Sequence, residues 1–344
     1  MALRLRLGAY AGILAGLLAT AVILGAGDQT GPPDGRAPAA SAPSRRPWRV
    51  GEETRWAFIF LLPWIIGFVV FTAGPMIASL YLSFTDYNVI RAPELVGLEN
   101  YERLTGDRRI GLALGNTAFY AALHVPGVII LSLALAMLLL RVGRAAGFFR
   151  TVFYLPAVTP AVAVGTLFLL ILSGNGLINQ MLGAVGLPRP NWLSDPDWVK
   201  PGIVLMSLWS LGSTVVIYFA ALRNVPVELY EAARMDGANA WAQFRHITVP
   251  FISGAIFFTL IVNTIASLQI FAEVFTMFFG LTRSSGAQSS ALFYVIYLFQ
   301  KAFQDFDFGY ASAMAWLLFI IILAITLVQM RLSKRFVYYA GGDS

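Results

Sequence analysis

The sequence contains no cysteine and only two histidines, His124 and His246. Disulfides, thiolate nucleophiles and histidine-rich metal centres are therefore excluded. Lysine is scarce as well: of 24 basic residues only Lys200, Lys301 and Lys334 are lysine, a bias that reflects base composition rather than chemistry. Charge itself is sparse, at 12% of residues against about 25% in soluble domains. No Gly-x-x-x-x-Gly-Lys-Ser/Thr phosphate loop occurs, so this chain is not expected to hydrolyse ATP, and no catalytic residues are assigned.

What is present in quantity is apolar sequence, 58% of 344 residues. It is gathered into runs of 18 or more, separated by short charged blocks, and runs of that length read as membrane spans. Six runs, roughly 57–84, 112–140, 151–172, 202–222, 249–272 and 309–330, supply the ~20 apolar residues that a helix needs to cross a bilayer. Helix is the expected state because a spanning segment must satisfy its backbone internally. The stretch 287–303 is apolar but short, and reads as an interfacial or partly inserted helix. The net charge of +6 is a topology signal. Placing the loops after the second and fourth spans inside, with the C-terminus and the segment before Arg55, gives an inside charge of +6 and an outside charge of −2. Nucleic acid is not an expected partner.

Residues 7–26 form a further apolar run behind Arg4 and Arg6, and a Pro/Ala/Gly/Ser-rich linker follows at 31–47. The run resembles a signal peptide, but a cleaved signal or an inside-to-outside anchor would put five arginines outside. An extra span crossing outside to inside resolves this, as does a segment lying in the interface; the extra span is the reading taken. The expected organisation is an N-terminal segment and linker over 1–55, a transmembrane domain over 56–335 and a tail over 336–344. Pro63, Pro75, Pro126, Pro156 and Pro160 fall within spans. Such prolines are either tolerated through neighbouring helices or kink the spans to open a cavity.

The inside segment 223–249 is longer than a connection needs. Pro226 suits a first helical turn, Glu228 suits the helix dipole there, and Gly237 can take the left-handed conformation that ends a helix. A second short helix is expected over about 239–246, with Trp241, Phe244 and Arg245 near one another. Small residues at the centre admit another backbone; an amphipathic helix resting on the membrane is the competing reading.

The pattern Glu231-Ala232-Ala233, then Gly237, then nine residues, then Ile247-x-Val249-Pro250, resembles the signature of permease subunits of binding-protein-dependent ABC importers. Asp236 and Ala238 point to the carbohydrate branch, the maltose and glycerol-3-phosphate type permeases. Val96-Gly97-Leu98-Glu99-Asn100-Tyr101, Asn116-Thr117, Phe149-Arg150-x-x-Phe153-x-Leu155-Pro156 and Phe308-Gly309-Tyr310-Ala311-Ser312-Ala313 resemble further pieces of that branch. The resemblance covers about 55–335. It implies an all-α integral membrane protein with a six-helix permease core plus the extra N-terminal helix, in a bacterial cytoplasmic membrane with its C-terminus inside. It also implies a second permease subunit, an extracytoplasmic solute-binding protein and a cytoplasmic ATPase dimer holding ATP and magnesium, this chain holding neither. Glu228, Glu231, Ala232, Ala233, Asp236, Gly237 and Pro250 would then couple to the ATPase. Where many members carry Gly-Gly-Pro, this chain has Phe279-Gly280-Leu281-Thr282-Arg283, a departure at the outer loop.

A substrate path needs polar groups at mid-membrane. Asn263 and Ser267 share a helical face with Phe271 one turn on, and Trp209, Ser210, Ser213 and Thr214 cluster in 202–222. Hydroxyls and amides suit sugar hydroxyls and aromatic rings stack on sugar faces, though serine and asparagine also join helices. His124 reads as packed or hydrogen-bonded rather than as a proton relay. An ion-coupled secondary transporter is the rival class, disfavoured because no charged residue falls near the centre of a span; Glu273 lies at an outer end. Glycerol phosphate or another polyol is the alternative substrate.

Overall fold

The computed structural model describes residues 52–279 and 287–336, and these are predominantly helical, with one short two-stranded ribbon. The apolar segment 7–26, the linker 31–47, residues 280–283 and the tail beyond Phe336 lie outside the described residues. The chain divides into two units, Met1–Ser79 and Leu80–Ser344. Helix α1 (Glu52–Phe68), a π-turn (Val69–Ala73) and α2 (Gly74–Leu82) form a continuous helical run. Its portion Trp56–Leu82 is long and apolar enough to cross a membrane. Pro63 sits inside α1 without breaking it. The π-turn, with Gly74 N–H bonded to Val69 O, falls just before Pro75, which has no N–H to give.

The second unit opens with a two-stranded antiparallel ribbon, β1 (Thr85–Asp86) against β2 (Glu94–Leu95). There follow α3 (Glu99–Gly106), α4 (Arg108–Arg141), α5 (Ala146–Tyr154), α6 (Ala161–Ile171), α7 (Leu177–Ala184), α8 (Pro196–Leu208) and α9 (Gly212–Arg223). The remainder is α10 (Val227–Met235), α11 (Ala240–Gln243), a π-turn (Phe244–Thr248), α12 (Val249–Phe251), α13 (Ser253–Leu268), α14 (Ala272–Phe278), α15 (Tyr294–Phe303) and α16 (Phe308–Phe336). Arg108–Arg141, Ser253–Phe278 and Phe308–Ser333 are also long and apolar enough to span.

Two spans differ from the sequence expectation. The run 151–172 is not one helix: α5 with its 3-10 turn meets α6 at 100°. Thr159, extended at φ −73° and ψ 133°, and Pro160 carry the bend, because proline pushes its predecessor out of the helical region. The run 202–222 starts earlier, at Pro196, and bends by 51° between α8 and α9. The stretch 287–303 is packed within the chain, with α15 as its helix. Tyr294, Ile296, Tyr297 and Ala302 of α15 are buried, and Tyr294 Oη donates to Met314 O of α16 at 2.8 Å. Pro126, by contrast, is carried inside an unbroken α4. Proline breaks the chain where helical bonding also stops, and not elsewhere.

Two buried clusters organise this unit. One gathers Tyr120, Phe168, Ile203, Met206, Phe278 and Tyr310; the other gathers Leu133, Val215, Tyr218, Leu222 and Ile252. Short polar motifs lock the joints. Asn100 is 3% exposed and donates to the carbonyls of Ser83 and Thr85 at 3.0 and 2.9 Å, closing the turn that leads into β1. Asn116 donates to Ser289 O and Leu292 O at 2.8 and 3.1 Å, and Thr117 Oγ1 accepts from Tyr294 N at 3.0 Å. Together they tie the start of α15 to α4. Gly309 is needed for close approach, because a Cβ there would lie 2.0 Å from Thr85 O.

The same end carries an ionic knot. Asp107 caps α4 by accepting from Arg109 N at 2.8 Å. Its Oδ2 also accepts from Tyr297 Oη at 2.5 Å and Tyr310 Oη at 2.8 Å. Burial pushes this carboxyl up, but the two phenols, the Arg109 amide and the charge of Lys301 outweigh it and hold it below its ordinary value. Arg103 pairs with Asp307 at 2.8 Å and lies over the Tyr310 ring; Lys301 pairs with Asp305 at 2.9 Å.

Candidate functional site

Two places bring the sequence-selected residues together. The first is a cavity of about 490 Å³ between α4, α6, α8, α9, α13 and α14. Ser210 and Leu211 lie in the break between α8 and α9 and line the cavity, Leu211 also packing on the cluster around Val215 and Tyr218. Ser210, Ser213, Thr214, Asn263, Ser267 and Phe271 all line it. Trp209 does not. It also lies in the break, and its ring packs edge-on against Phe168 with centroids 6.0 Å apart.

The lining groups fall into two classes. Some are occupied by the fold. Ser267 Oγ donates to Asn263 O at 2.6 Å and meets His124 Nδ1 at 2.9 Å. Tyr120 Oη donates to Ser207 Oγ at 2.8 Å and its ring stacks on His124 at 5.0 Å. His124 is thus packed and hydrogen-bonded, as expected. Asn263 Nδ2 donates to Thr259 O at 2.8 Å, which leaves its Oδ1 open. The side chains of Ser210, Ser213, Thr214, Gln269 and Glu273 make no hydrogen bond or ion pair among the described residues, although they line the cavity. Groups that only join helices would be paired; unpaired ones are open to a polar ligand.

The sequence reading missed Tyr120, His124, Ser207, Gln269 and Glu273 as lining residues. Tyr120 and His124 are four apart on α4, a face that could have been noticed. Glu273, placed by sequence at an outer end, stands in the first turn of α14, and only the turn at Gln269–Phe271 brings it to the cavity.

The second place is the segment 223–249. Pro226 caps α10 with ψ 133°, Glu228 lies in the first turn, and the helix stops at Asp236. Gly237 takes φ +78°. Ala238 N bonds to Ala233 O at 2.9 Å and Gly237 N to Arg234 O at 3.1 Å, which is the pairing of a helix end closed by a left-handed residue. Asn239 caps the next turn, accepting from Ala242 N at 2.8 Å, and Trp241 packs on Phe244 at 5.5 Å. The expected helix over 239–246 is shorter, since a π-turn replaces it from Phe244. Glu228, Glu231, Ala232, Asp236 and Gly237 are exposed, while Ala233 and Pro250 are half-buried. Met235 and Trp241 stand 88% and 66% exposed, which leaves a large apolar surface uncovered.

Comparison with known proteins places these features. Residues 127–338 match the family described as binding-protein-dependent transport system inner membrane component. The probable ABC transporter permease protein YesP of Bacillus subtilis is 38% identical over 86% of this chain and 95% of its own length. The lactose transport system permease protein LacF of Rhizobium radiobacter is 33% identical over 81% of this chain and 94% of its own. A bacterial alginate ABC transporter, solved in complex with an alginate pentasaccharide-bound periplasmic protein, superposes with TM-score 0.70 at 25% identity over 83% of this chain and 96% of that one. The chain therefore belongs to the binding-protein-dependent inner membrane component family, the multi-pass permease subunits of ABC transporters.

Proposed function

We propose that this chain forms one half of the translocation path of an ATP-driven sugar importer and transmits the work of a separate ATPase through the 223–249 loop. The observation that carries the reading is the cavity, whose free hydroxyl, amide and carboxylate groups stand beside the Phe271 ring. Hydroxyls and amides match the donors and acceptors of a sugar, and an aromatic ring suits its apolar face. The lactose-named relative and the alginate-bound assembly support a saccharide. Among the described residues the wall has no lysine or arginine, which gives no support to a phosphorylated substrate or to the glycerol phosphate alternative.

The partners follow from the same reading. A second permease closes the path, a solute-binding protein delivers the sugar, and an ATPase dimer binding ATP and magnesium docks on the exposed α10 to Trp241 surface. Glu228, Glu231, Ala232, Ala233, Asp236, Gly237 and Pro250 form or support that contact. Loop 223–249 and the C-terminus then face the cytoplasm of a bacterial cell. Uptake by the complete transporter tests the path. Asn263→Leu or the pair Ser210→Ala, Ser213→Ala removes hydrogen bonds of about 1 kcal/mol each, so apparent affinity should fall about fivefold per bond. Unchanged affinity in both variants would remove these residues from the path.

A further inference from the structure

The wall of the cavity carries one carboxylate, Glu273, and it is half-buried. The chain leaves α13 at Gln269, turns through Phe271 at φ −145° and restarts as α14 at Ala272. Glu273 thus enters the cavity wall from the first turn of α14. Packing fixes that turn. A Cβ on the buried Gly165 of α6 would lie 2.8 Å from Glu273 O and 3.4 Å from Glu273 Cα, so two backbones meet at this residue. The next residue, Val274, is fully buried, and Phe271 stacks on Phe275 with centroids 5.1 Å apart. The backbone that carries the carboxylate cannot shift without parting α14 from α6.

An acid early in a helix suits the dipole of that helix. That contact leaves the carboxylate oxygens free, and no side chain of the described residues takes them up. Both salt bridges there lie at the Asp107 end. No lysine or arginine among the described residues lines the cavity. The Nδ1 of His124 is engaged by Ser267 at 2.9 Å. The charge of Glu273 reaches the hydroxyl of Tyr120, but that hydroxyl donates to Ser207 Oγ. The free carboxylate therefore acts on whatever enters the cavity. A sugar hydroxyl donates to a carboxylate more strongly than to a neutral oxygen, and an ammonium group would pair with it. A second carboxylate at about 5 Å in a partly wet cavity would cost well over tenfold in affinity. Such a like-charge clash is how a site rejects a wrong ligand.

We propose that Glu273 makes the path select neutral and amino sugars against uronic acids, a role that rests on the cavity being the sugar path. The test takes the assembled transporter without its solute-binding protein, so that selection by that protein plays no part. Galactose, galactosamine and galacturonate share a ring and differ in charge. Each is titrated at millimolar concentration and its binding followed by saturation-transfer NMR. The wild type should bind galactosamine best, and galacturonate about tenfold or more weaker than galactose. E273Q is nearly isosteric and has no native partner to lose. It should bind galacturonate about tenfold better than the wild type, lose the preference for galactosamine and keep galactose within about threefold. E273D retains the charge and should keep the order of the three. E94Q, on the exposed strand β2, should match the wild type and so exclude a general effect of net charge. Galacturonate bound by the wild type as well as galactose, an unchanged order in E273Q or an equal change in E94Q would each overturn the role of Glu273 and leave the path standing. Binding of none of the three by the wild type would overturn the path itself, and the proposal with it.

Discussion

The Asp107 end and the 223–249 loop are both polar, and they are built in opposite ways. At the Asp107 end, bonds join residues far apart in sequence: Asp107 to Tyr297 and Tyr310, and Arg103 to Asp307, 204 positions away. Charge and hydrogen-bonding capacity are consumed within the chain. In the loop the bonds are local, Asn239 to Ala242, Gln243 to Ala238 and Arg234 to Tyr230. Its charged side chains and Val227, Leu229, Met235 and Trp241 are exposed, while Val225, Tyr230, Phe244 and Ile247 seat it on the cluster around Tyr218. The first arrangement braces helices that must not slide; the second makes a small rigid shape whose outer face is left for something else. Polar residues in one membrane protein thus do different work according to how far along the chain their partners lie.

The largest effect that tests this contrast is at Gly237. Valine there would have to hold φ +78°, a conformation strained for a β-branched residue by about 1–3 kcal/mol. The exposed loop can relieve the strain by unwinding the last turn of α10, so thermal stability of the whole chain should change little. Uptake by the assembled transporter should fall more than tenfold, with ATP hydrolysis either uncoupled from it or lost with the ATPase. Normal transport in Gly237→Val would show that the shape of the loop is incidental and would remove its coupling role.

At the Asp107 end the expectation reverses. Asp107→Asn keeps the shape but removes the charge that two phenols and a helix start are aimed at, a loss of about 1.5–3 kcal/mol. The melting temperature in detergent should drop by several degrees. Wild-type stability should also depend on pH in a set direction. The native carboxyl is held below its ordinary value, so its contribution is complete above about pH 4 and is lost as pH falls toward the native value. Asp107→Asn should flatten that acid limb. An equally steep limb in the variant would mean that other carboxylates carry it and that the knot is not the brace described.

The sequence disclosed the loop far better than the brace, for the same reason. Local bonds leave local signals: Pro226, Gly237 and Asn239 each mark a helix boundary within a few residues of its effect, and apolar runs marked most spans. The knot joins Asp107, Tyr297 and Tyr310, whose separation carries no periodicity. Asn100, Asn116 and Gly309 were noticed only as pieces of a family pattern; their work on distant carbonyls emerged from the structure. Prolines were ambiguous because the outcome depends on whether neighbouring bonds hold, as at Pro126, or stop, as at Pro160. The cavity was half legible, since a helical face can be counted but the chain break that carries Glu273 into view cannot. Burial of α15 was not legible at all, as an apolar ten-residue helix reads alike on a membrane surface and in a core.

The finest test concerns the one bond that closes the loop on itself. Tyr230 Oη and Thr248 Oγ1 lie 2.8 Å apart, joining α10 to the π-turn across Gly237. Thr248 is 5% exposed, and its hydroxyl also reaches Gln243 O at 3.4 Å, which leaves Tyr230 as the donor between the two. Tyr230→Phe therefore removes one neutral hydrogen bond, about 0.5–1.5 kcal/mol, and leaves Thr248 a second partner. The melting temperature of the whole chain should barely move, because the bond belongs to a local unit that can open alone. Hydrogen exchange of the amides at Gly237 and Ala238 should quicken several-fold, and uptake per ATP hydrolysed should fall modestly. A fall in overall melting as large as that of Asp107→Asn would show that the loop and the brace are one cooperative unit, and the contrast between them would no longer hold.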